Sequence, residues 1–219
     1  MKKQKNHSKI FKIDGVGVNL ERFYPANSLE EKKALRSEKG FAPDDFILIY
    51  TAEFIPRKNH KLLFDILPDL KQKIPELKVI LCGKGELLER YKDFAVQNKM
   101  DYVTFTGYTK DVDDYCRLSD VLVMPSFQEG LPMAMIEAIA TGLPVVASDI
   151  RGHCDVIEDC VNGFLFGTEN ISGFEKAILT LYKNPVLRAQ IGKRNIERAK
   201  VFSVDKAVDA MEEIYQTVM

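Results

Sequence analysis

The chain has 219 residues, 46% of them hydrophobic and 29% charged, the balance of a globular fold long enough to bury a full core. A formal charge of −1 excludes a general pull towards nucleic acid or acidic lipid, so no nucleic-acid partner is expected. Cys82, Cys116, Cys154 and Cys160 lack any CxxC spacing and read as buried or half-buried free thiols of a cytoplasmic protein. No apolar run is long enough to span a bilayer.

In chain order, the basic stretch MKKQKNHSK has no apolar run behind it of the kind a secretory leader carries. Residues 1–9 are expected to be a disordered segment, and the domain is taken as 10–219. Residues 10–19 predict a short strand ending in Gly15 and Gly17. Ser28 to Lys39 is a charged helix, with Ser28 as cap and Glu31 completing a capping box. Strands and helices then alternate. Phe46 to Ala52 is a strand, and Asn59 to Lys73 a helix with Leu62, Leu63, Ile66, Leu67 and Leu70 on one face. Leu77 to Cys82 is the second strand, Glu86 to Gln97 a helix, Tyr102 to Phe105 the third strand and Asp111 to Leu118 a short helix.

Val121 to Met124 is an apolar run of the kind a buried parallel strand makes. After a loop, Leu131-Pro132 starts a helix that runs to Thr141 and stops at Gly142, since proline loses nothing where the N–H is unpaired anyway. Val145 to Ser148, a helical turn near Arg151 to Val156, and Phe164 to Phe166 follow. Three helices over 171–219 begin near Ile171, Pro185 and Val204. Strand alternating with helix means a parallel sheet covered on both faces, an α/β three-layer Rossmann-like domain of about six strands. Ligands of such sheets bind at the carboxyl ends of the strands, where the strand order reverses.

Every loop that follows a strand should therefore face one mouth. The loop after Met124 leads into a helix start, which leaves backbone N–H groups and a positive helix end free for an anion. Glu129 and Glu137 flank it at Glu-x7-Glu spacing. The loop after the first strand carries Arg57 and Lys58, cations placed against the dipole of the next helix, which favours a functional reason for them. Gly83-Lys84-Gly85-Glu86 fails as a dinucleotide fingerprint, because Leu88 stands where the third glycine is needed; an oxidoreductase is disfavoured on that ground. Gly107-Tyr108 reads equally as a glycine turn with a packed tyrosine or as a ligand loop. The Asp-x-Asp of Lys110-Asp111-Val112-Asp113-Asp114 begins a helix, where acids suit the positive end, and is not taken as a metal site. His153, Cys154 and Cys160 lack zinc-ligand spacing.

The stretch EGLPMAMIE followed by GLPVVAS resembles the signature of the family-4 (group 1) glycosyltransferases, retaining enzymes of the GT-B fold. GVGVNLERFYP, with Phe23 and Pro25, is similar to the segment that enters their second domain. RGHCDVIEDCVNGFLF echoes a later motif of theirs through Asp155, Glu158, Asn162 and Gly163, while Arg151 and His153 depart from it and receive no role. The resemblance covers the C-terminal, donor-binding half of such an enzyme.

The resemblance implies a UDP- or GDP-sugar as donor. Lys58 and then Arg57 would grip the diphosphate, although Glu53 stands where the family's arginine usually does. Gly83 and Gly85 would let backbone approach the nucleotide, and Gly107 and Tyr108 would sit at the base. Glu137 would take the ribose hydroxyls. Glu129, the candidate catalytic residue, would meet the transferred sugar, with the amides of Gly130, Leu131, Pro132–Met133 at sugar or phosphate oxygens. (Proline contributes no N–H of its own.) Neither metal nor cofactor is expected. The acceptor would be held by an N-terminal domain absent here, so the chain should bind donor yet transfer little unaided. The resemblance also implies surface-polysaccharide synthesis at the inner membrane face. Two alternatives stay open: a non-catalytic nucleotide-binding module with a separate partner, and a sugar-nucleotide epimerase of related fold.

Overall fold

Six runs rich in apolar and β-branched residues lie side by side in a computed structural model of the protein, which describes residues 11, 13, 15 and 17–218. They are β1 (Phe46–Thr51), β2 (Leu77–Cys82), β3 (Val103–Gly107), β4 (Val121–Met124), β5 (Val145–Ser148) and β6 (Gly163–Phe166). All pair in parallel, in the order β3-β2-β1-β4-β5-β6. Nearly every residue of β1, β2, β4 and β5 is buried, as parallel strands must be when helices cover both faces. The sequence order reverses between β1 and β4, so the loops leaving these two strands border the crevice where such sheets hold ligands.

The helices are α1 (Leu29–Glu38), α2 (His60–Lys73), α3 (Leu88–Gln97), α4 (Val112–Leu118), α5 (Met133–Ala140), α6 (Arg151–Cys154), α7 (Ile171–Lys183), α8 (Pro185–Ala199) and α9 (Val204–Val218). On one face α2 packs against α7, and Phe64 of α2 stacks on Tyr91 of α3 with ring centroids 4.7 Å apart. On the other face α1, α4, α5 and α8 pack in succession. Aliphatic residues from β1, β2, β4 and β5 form one continuous core with Leu63, Ile66, Leu67, Ile136, Ile139 and Ile178. Burial of this kind stabilises by about 25 cal/mol per Å² of apolar surface, which is why short strands of four residues hold.

The boundaries differ from the sequence reading in physically informative places. Residues 1–9 lie outside the described residues, as do positions 10, 12, 14 and 16 of the strand expected over 10–19. Phe11, Ile13, Gly15 and Gly17 are not in a strand; Val18 alone makes a parallel bridge, to Ser203. Ser28 caps α1 by accepting from the Glu31 amide at 3.1 Å, but the Glu31 carboxylate reaches past the cap to the Asn27 amide, 2.8 Å away. Pro132 is the residue before α5 rather than its first, at φ −81° and ψ 86°, so the helix begins at Met133. Likewise α3 begins at Leu88, two residues after Glu86. Cys82 and Cys116 are buried, whereas Cys154 and Cys160 are exposed, contrary to expectation; all four are free thiols. Among the described residues no helix is long and apolar enough to cross a membrane.

Candidate functional site

The loops leaving β1 and β4 are joined backbone to backbone and side chain to side chain. The Phe127 amide donates to the Arg57 carbonyl at 2.9 Å. Asn59, held in the left-handed region at φ 50°, donates from Nδ2 to the Pro125 carbonyl at 3.0 Å and to the Thr168 carbonyl at 3.2 Å. Asparagine tolerates that backbone better than most residues, and here it locks the loop carrying Arg57 and Lys58 onto the one carrying Glu129.

Lys58 and Glu129 meet directly. The ammonium donates to Oε1 at 2.6 Å and Oε2 at 2.8 Å, and the side chains are only 15% and 9% exposed. Ser126 also donates to Oε1, at 2.8 Å, and its hydroxyl lies 3.0 Å from that of Tyr50. Tyr50 in turn donates to the Lys58 carbonyl at 2.7 Å. Two of the expected site residues are thus brought together by two buried hydroxyls that sequence reasoning passed over. Gly152 of α6 lies hard against the same loop. A Cβ there would collide with the Gly130 carbonyl and stand 2.9 Å from the Glu129 carbonyl oxygen. The neighbouring His153 is fully buried, with Nδ1 2.8 Å from the Ser148 carbonyl, and burial lowers its pKa.

Beside this ion pair, α5 begins without a side-chain cap. The amides of Gly130, Leu131, Met133 and Ala134 have no acceptor among the described residues. Free amides at a helix start carry partial positive charge. Glu137 lies one turn inside α5, half-buried and without a hydrogen-bond partner among the described residues. Burial raises its pKa, Arg22 opposes that rise, and Asp113 adds to it. Arg22 itself donates to Asp113 Oδ1 at 3.0 Å and to the Lys110 carbonyl. The Leu131 side chain packs against Gly15, where an added Cβ would strike it, while its amide stays at the mouth.

The remaining expected residues take up the β2 and β3 side of the mouth. Gly83 and Gly85, at φ +150° and +149°, adopt a backbone that side chains avoid. A Cβ on Gly83 would strike the Ala52 carbonyl, and one on Gly85 would lie 2.5 Å from the Phe54 carbonyl oxygen. The Phe54 amide donates to the Lys84 carbonyl at 2.7 Å, and the Gly83 amide to the Gly107 carbonyl at 2.8 Å. These glycines are therefore required by the fit of one loop on the next, a reason the sequence reading did not give. Gly107 is half-buried with open space beside its Cα. Tyr108 is not packed: it is 70% exposed, with the Lys84 ammonium 5.3 Å from its ring centroid. Arg57 and Glu53 are exposed.

The acids of the Asp-x-Asp stretch are taken up by cations. Asp111 pairs with Lys39 at 3.0 Å, Asp113 with Arg22, and Asp114 with Lys39 at 3.3 Å and with Arg117. Asn162 and Gly163 are structural: Asn162 accepts from the Glu158 amide at 2.7 Å and donates to Asn195 of α8 at 2.8 Å. A cavity of about 940 Å³ opens at the opposite end of the sheet, between Lys32, Arg36, Asp120, Tyr182 and Arg188. Its buried carboxylate, Asp120, is already paired with Lys32 at 2.9 Å and Arg36 at 2.7 Å. The mouth, with its uncapped helix and a carboxylate that has no partner among the described residues, has the stronger claim to a polar ligand.

Residues 31–198 match the sequence profile of the family described as "Glycosyl transferases group 1". The putative glycosyltransferase EpsD of Bacillus subtilis (strain 168) is 38% identical over 95% of this chain and 55% of its own length. Among solved structures, a mutant of S. aureus TarM in complex with fondaparinux, alpha-GlcNAc-glycerol and UDP superposes with a TM-score of 0.72. It is 27% identical, covering 78% of this chain and 35% of TarM. HepE of Anabaena, in complex with UDP and glucose, gives a TM-score of 0.78 at 24% identity, over 92% of this chain and 55% of HepE. The chain spans about half the length of the curated relatives it matches.

Proposed function

The chain belongs to the group 1 glycosyl transferases, and from that premise we propose that its mouth holds the nucleotide-diphosphate sugar of a glycosyl transfer reaction. The observation that carries this is the uncapped start of α5 beside the Lys58–Glu129 pair at the β1/β4 switch point. TarM and HepE, parts of which resemble this chain, each bind UDP in their crystals, which supports a UDP-sugar over a GDP-sugar as the first donor to try.

In this reading the α- and β-phosphates lie over the free amides of Gly130 to Ala134. Lys58 turns from Glu129 to the phosphates, and Arg57 reaches them from the same 3₁₀ turn. Glu137 accepts two hydrogen bonds from the ribose diol. Glu129, relieved of Lys58, faces the sugar. The acceptor's hydroxyl oxygen bonds to the anomeric carbon on the face the diphosphate leaves. The carbon–oxygen bond to the diphosphate breaks with its electron pair going to the nucleoside diphosphate, and the hydroxyl proton passes to an oxygen of that departing diphosphate. Cations and aligned amides stabilise that developing charge where water is scarce, which is a large share of what such a site supplies. Metal independence and retention of anomeric configuration are parts of the proposal. So is an acceptor domain beyond this chain, with association at a membrane face as its setting.

Thermal denaturation with UDP, GDP and their sugar conjugates tests the reading. Ligand at 100 times its Kd adds about 2.7 kcal/mol to stability. Stabilisation by UDP or GDP supports the proposal, and a response to NAD alone overturns it. One observation favours the alternative of a non-catalytic nucleotide module: Glu53 stands exposed where the family's arginine is expected. Transfer of sugar by the complete enzyme discriminates against that alternative.

A further inference from the structure

Close polar contacts around Lys58 and Glu129 form a ring. It runs from the Lys58 carbonyl to Tyr50, to Ser126, to Glu129 and back to the Lys58 ammonium. Tyr50 and Ser126 are both fully buried, so water does not complete it. Burial also pushes the Tyr50 phenol well up, which keeps its proton in place.

A count of protons then constrains what each hydroxyl can do. Tyr50 and Ser126 have one hydrogen each, and three oxygen–oxygen contacts to fill. The contacts are 2.7 Å (Tyr50 to Lys58), 3.0 Å (Tyr50 to Ser126) and 2.8 Å (Ser126 to Glu129). The longest is the one left without a proton when Tyr50 serves the lysine carbonyl and Ser126 serves the carboxylate. Distances and count agree on that assignment. Tyr50 therefore fixes the backbone of the lysine, and Ser126 fixes one oxygen of the glutamate.

We propose that Ser126 is a positioning residue that reserves Oε1 of Glu129 for the protein and leaves Oε2 for a hydroxyl of the transferred sugar once a diphosphate has drawn Lys58 away. The inference rests on the nucleotide-sugar reading above. Lys58 donates to both oxygens, so the carboxylate is masked for as long as that pair holds. After that, a carboxylate lacking the Ser126 bond could rotate, and its free oxygen would have no fixed direction. Tyr50 acts on the other arm of the ring, since losing its hydroxyl frees the Lys58 carbonyl and loosens the phosphate contact.

The two arms make different predictions for two ligands. Calorimetric titration of this chain with UDP and UDP-glucose, or with GDP and GDP-mannose if that pair binds, gives a Kd for each. Ser126→Ala is expected to weaken the sugar nucleotide at least fivefold and to change the bare diphosphate less than twofold. Ser126→Thr, which keeps the hydroxyl, restores the sugar nucleotide to within twofold of the parent. Ser126→Cys, close in volume but a weak donor, follows Ser126→Ala and serves if the alanine variant does not fold. Tyr50→Phe is expected to weaken both ligands by similar factors. Equal losses for both ligands in the Ser126 variants, or no loss in either, overturn the inference while leaving the nucleotide reading intact. Failure of the parent chain to bind any of the four ligands overturns both.

Discussion

The two halves of the mouth are built by different means. On the β1/β4 side the loops are held by side chains: the Lys58–Glu129 ion pair, the Tyr50 and Ser126 hydroxyls and the Asn59 amide, all wholly or largely buried. On the β2/β3 side the loops meet mainly backbone to backbone, at Gly83, Gly85 and Gly107, and the side chains of Lys84 and Tyr108 are exposed. A buried ion pair is costly to desolvate and becomes more costly when one partner is removed. Backbone-on-backbone packing has no such liability, but it admits no side chain. The first side can therefore change its electrostatics when an anion arrives, whereas the second offers a fixed shape.

The sharpest way to break this contrast is Lys58→Met. It leaves the Glu129 carboxylate buried without its cation, and should cost about 3 kcal/mol of stability in urea denaturation, along with nucleotide binding. Adding Glu129→Gln to that variant should return much of the lost stability, because the uncompensated charge is gone. A double variant no more stable than the single would show that the pair is not what holds the loops. A smaller effect is expected for Gly152→Ala, whose methyl group would push α6 off the Glu129 loop, at about 2 kcal/mol by the usual cost of overpacking. Unchanged stability in that variant would mean that α6 and the loop separate freely, contrary to the close approach of Gly152 to the Gly130 carbonyl.

Smaller still is the effect of Glu137→Gln, expected to weaken UDP binding about tenfold, or about 1.4 kcal/mol. Here the pH dependence carries the information. Burial raises the pKa of Glu137 in the free protein, and accepting hydrogen bonds from ribose favours its ionised form. Binding therefore lowers that pKa and releases a proton. Affinity should be full above the raised value and decline as pH falls through it, and the Gln variant should lack this slope. A variant retaining the same slope would remove Glu137 from the nucleotide site.

Much of the fold was legible because burial on both faces leaves little choice: FILIYT, LKVILC, VLVM and VVAS cannot be anything but inner strands when helical patterns separate them. The EGLP loop with Glu129, and Glu137 in α5, stood out for the opposite reason, since acids and glycine beside an apolar run call for a purpose other than packing. What stayed hidden were residues whose role depends on one atom. Tyr50 in an apolar strand reads as core, and only its hydroxyl shows otherwise. Ser126 reads as loop. Gly152, in a segment that departs from the family pattern, carried no signal beyond its identity. Gly83 and Gly85 were noticed for the right feature, but their packing on the Ala52 and Phe54 carbonyls was hidden, because a free backbone serves a neighbouring loop as well as a ligand. Pro132 sits one residue earlier than expected, as the flank of α5 rather than its first turn.

The central claim is that a nucleoside diphosphate rests at the carboxyl end of β1 and β4, although a cavity of about 940 Å³ opens at the other end of the sheet. Amide chemical-shift mapping by NMR during a UDP titration addresses it directly. The account predicts saturable shifts at Lys58, Gly83, Gly85, Gly107, Gly130, Met133 and Glu137, with Lys32, Arg36, Asp120 and Arg188 unmoved. Shifts confined to the latter group would contradict it.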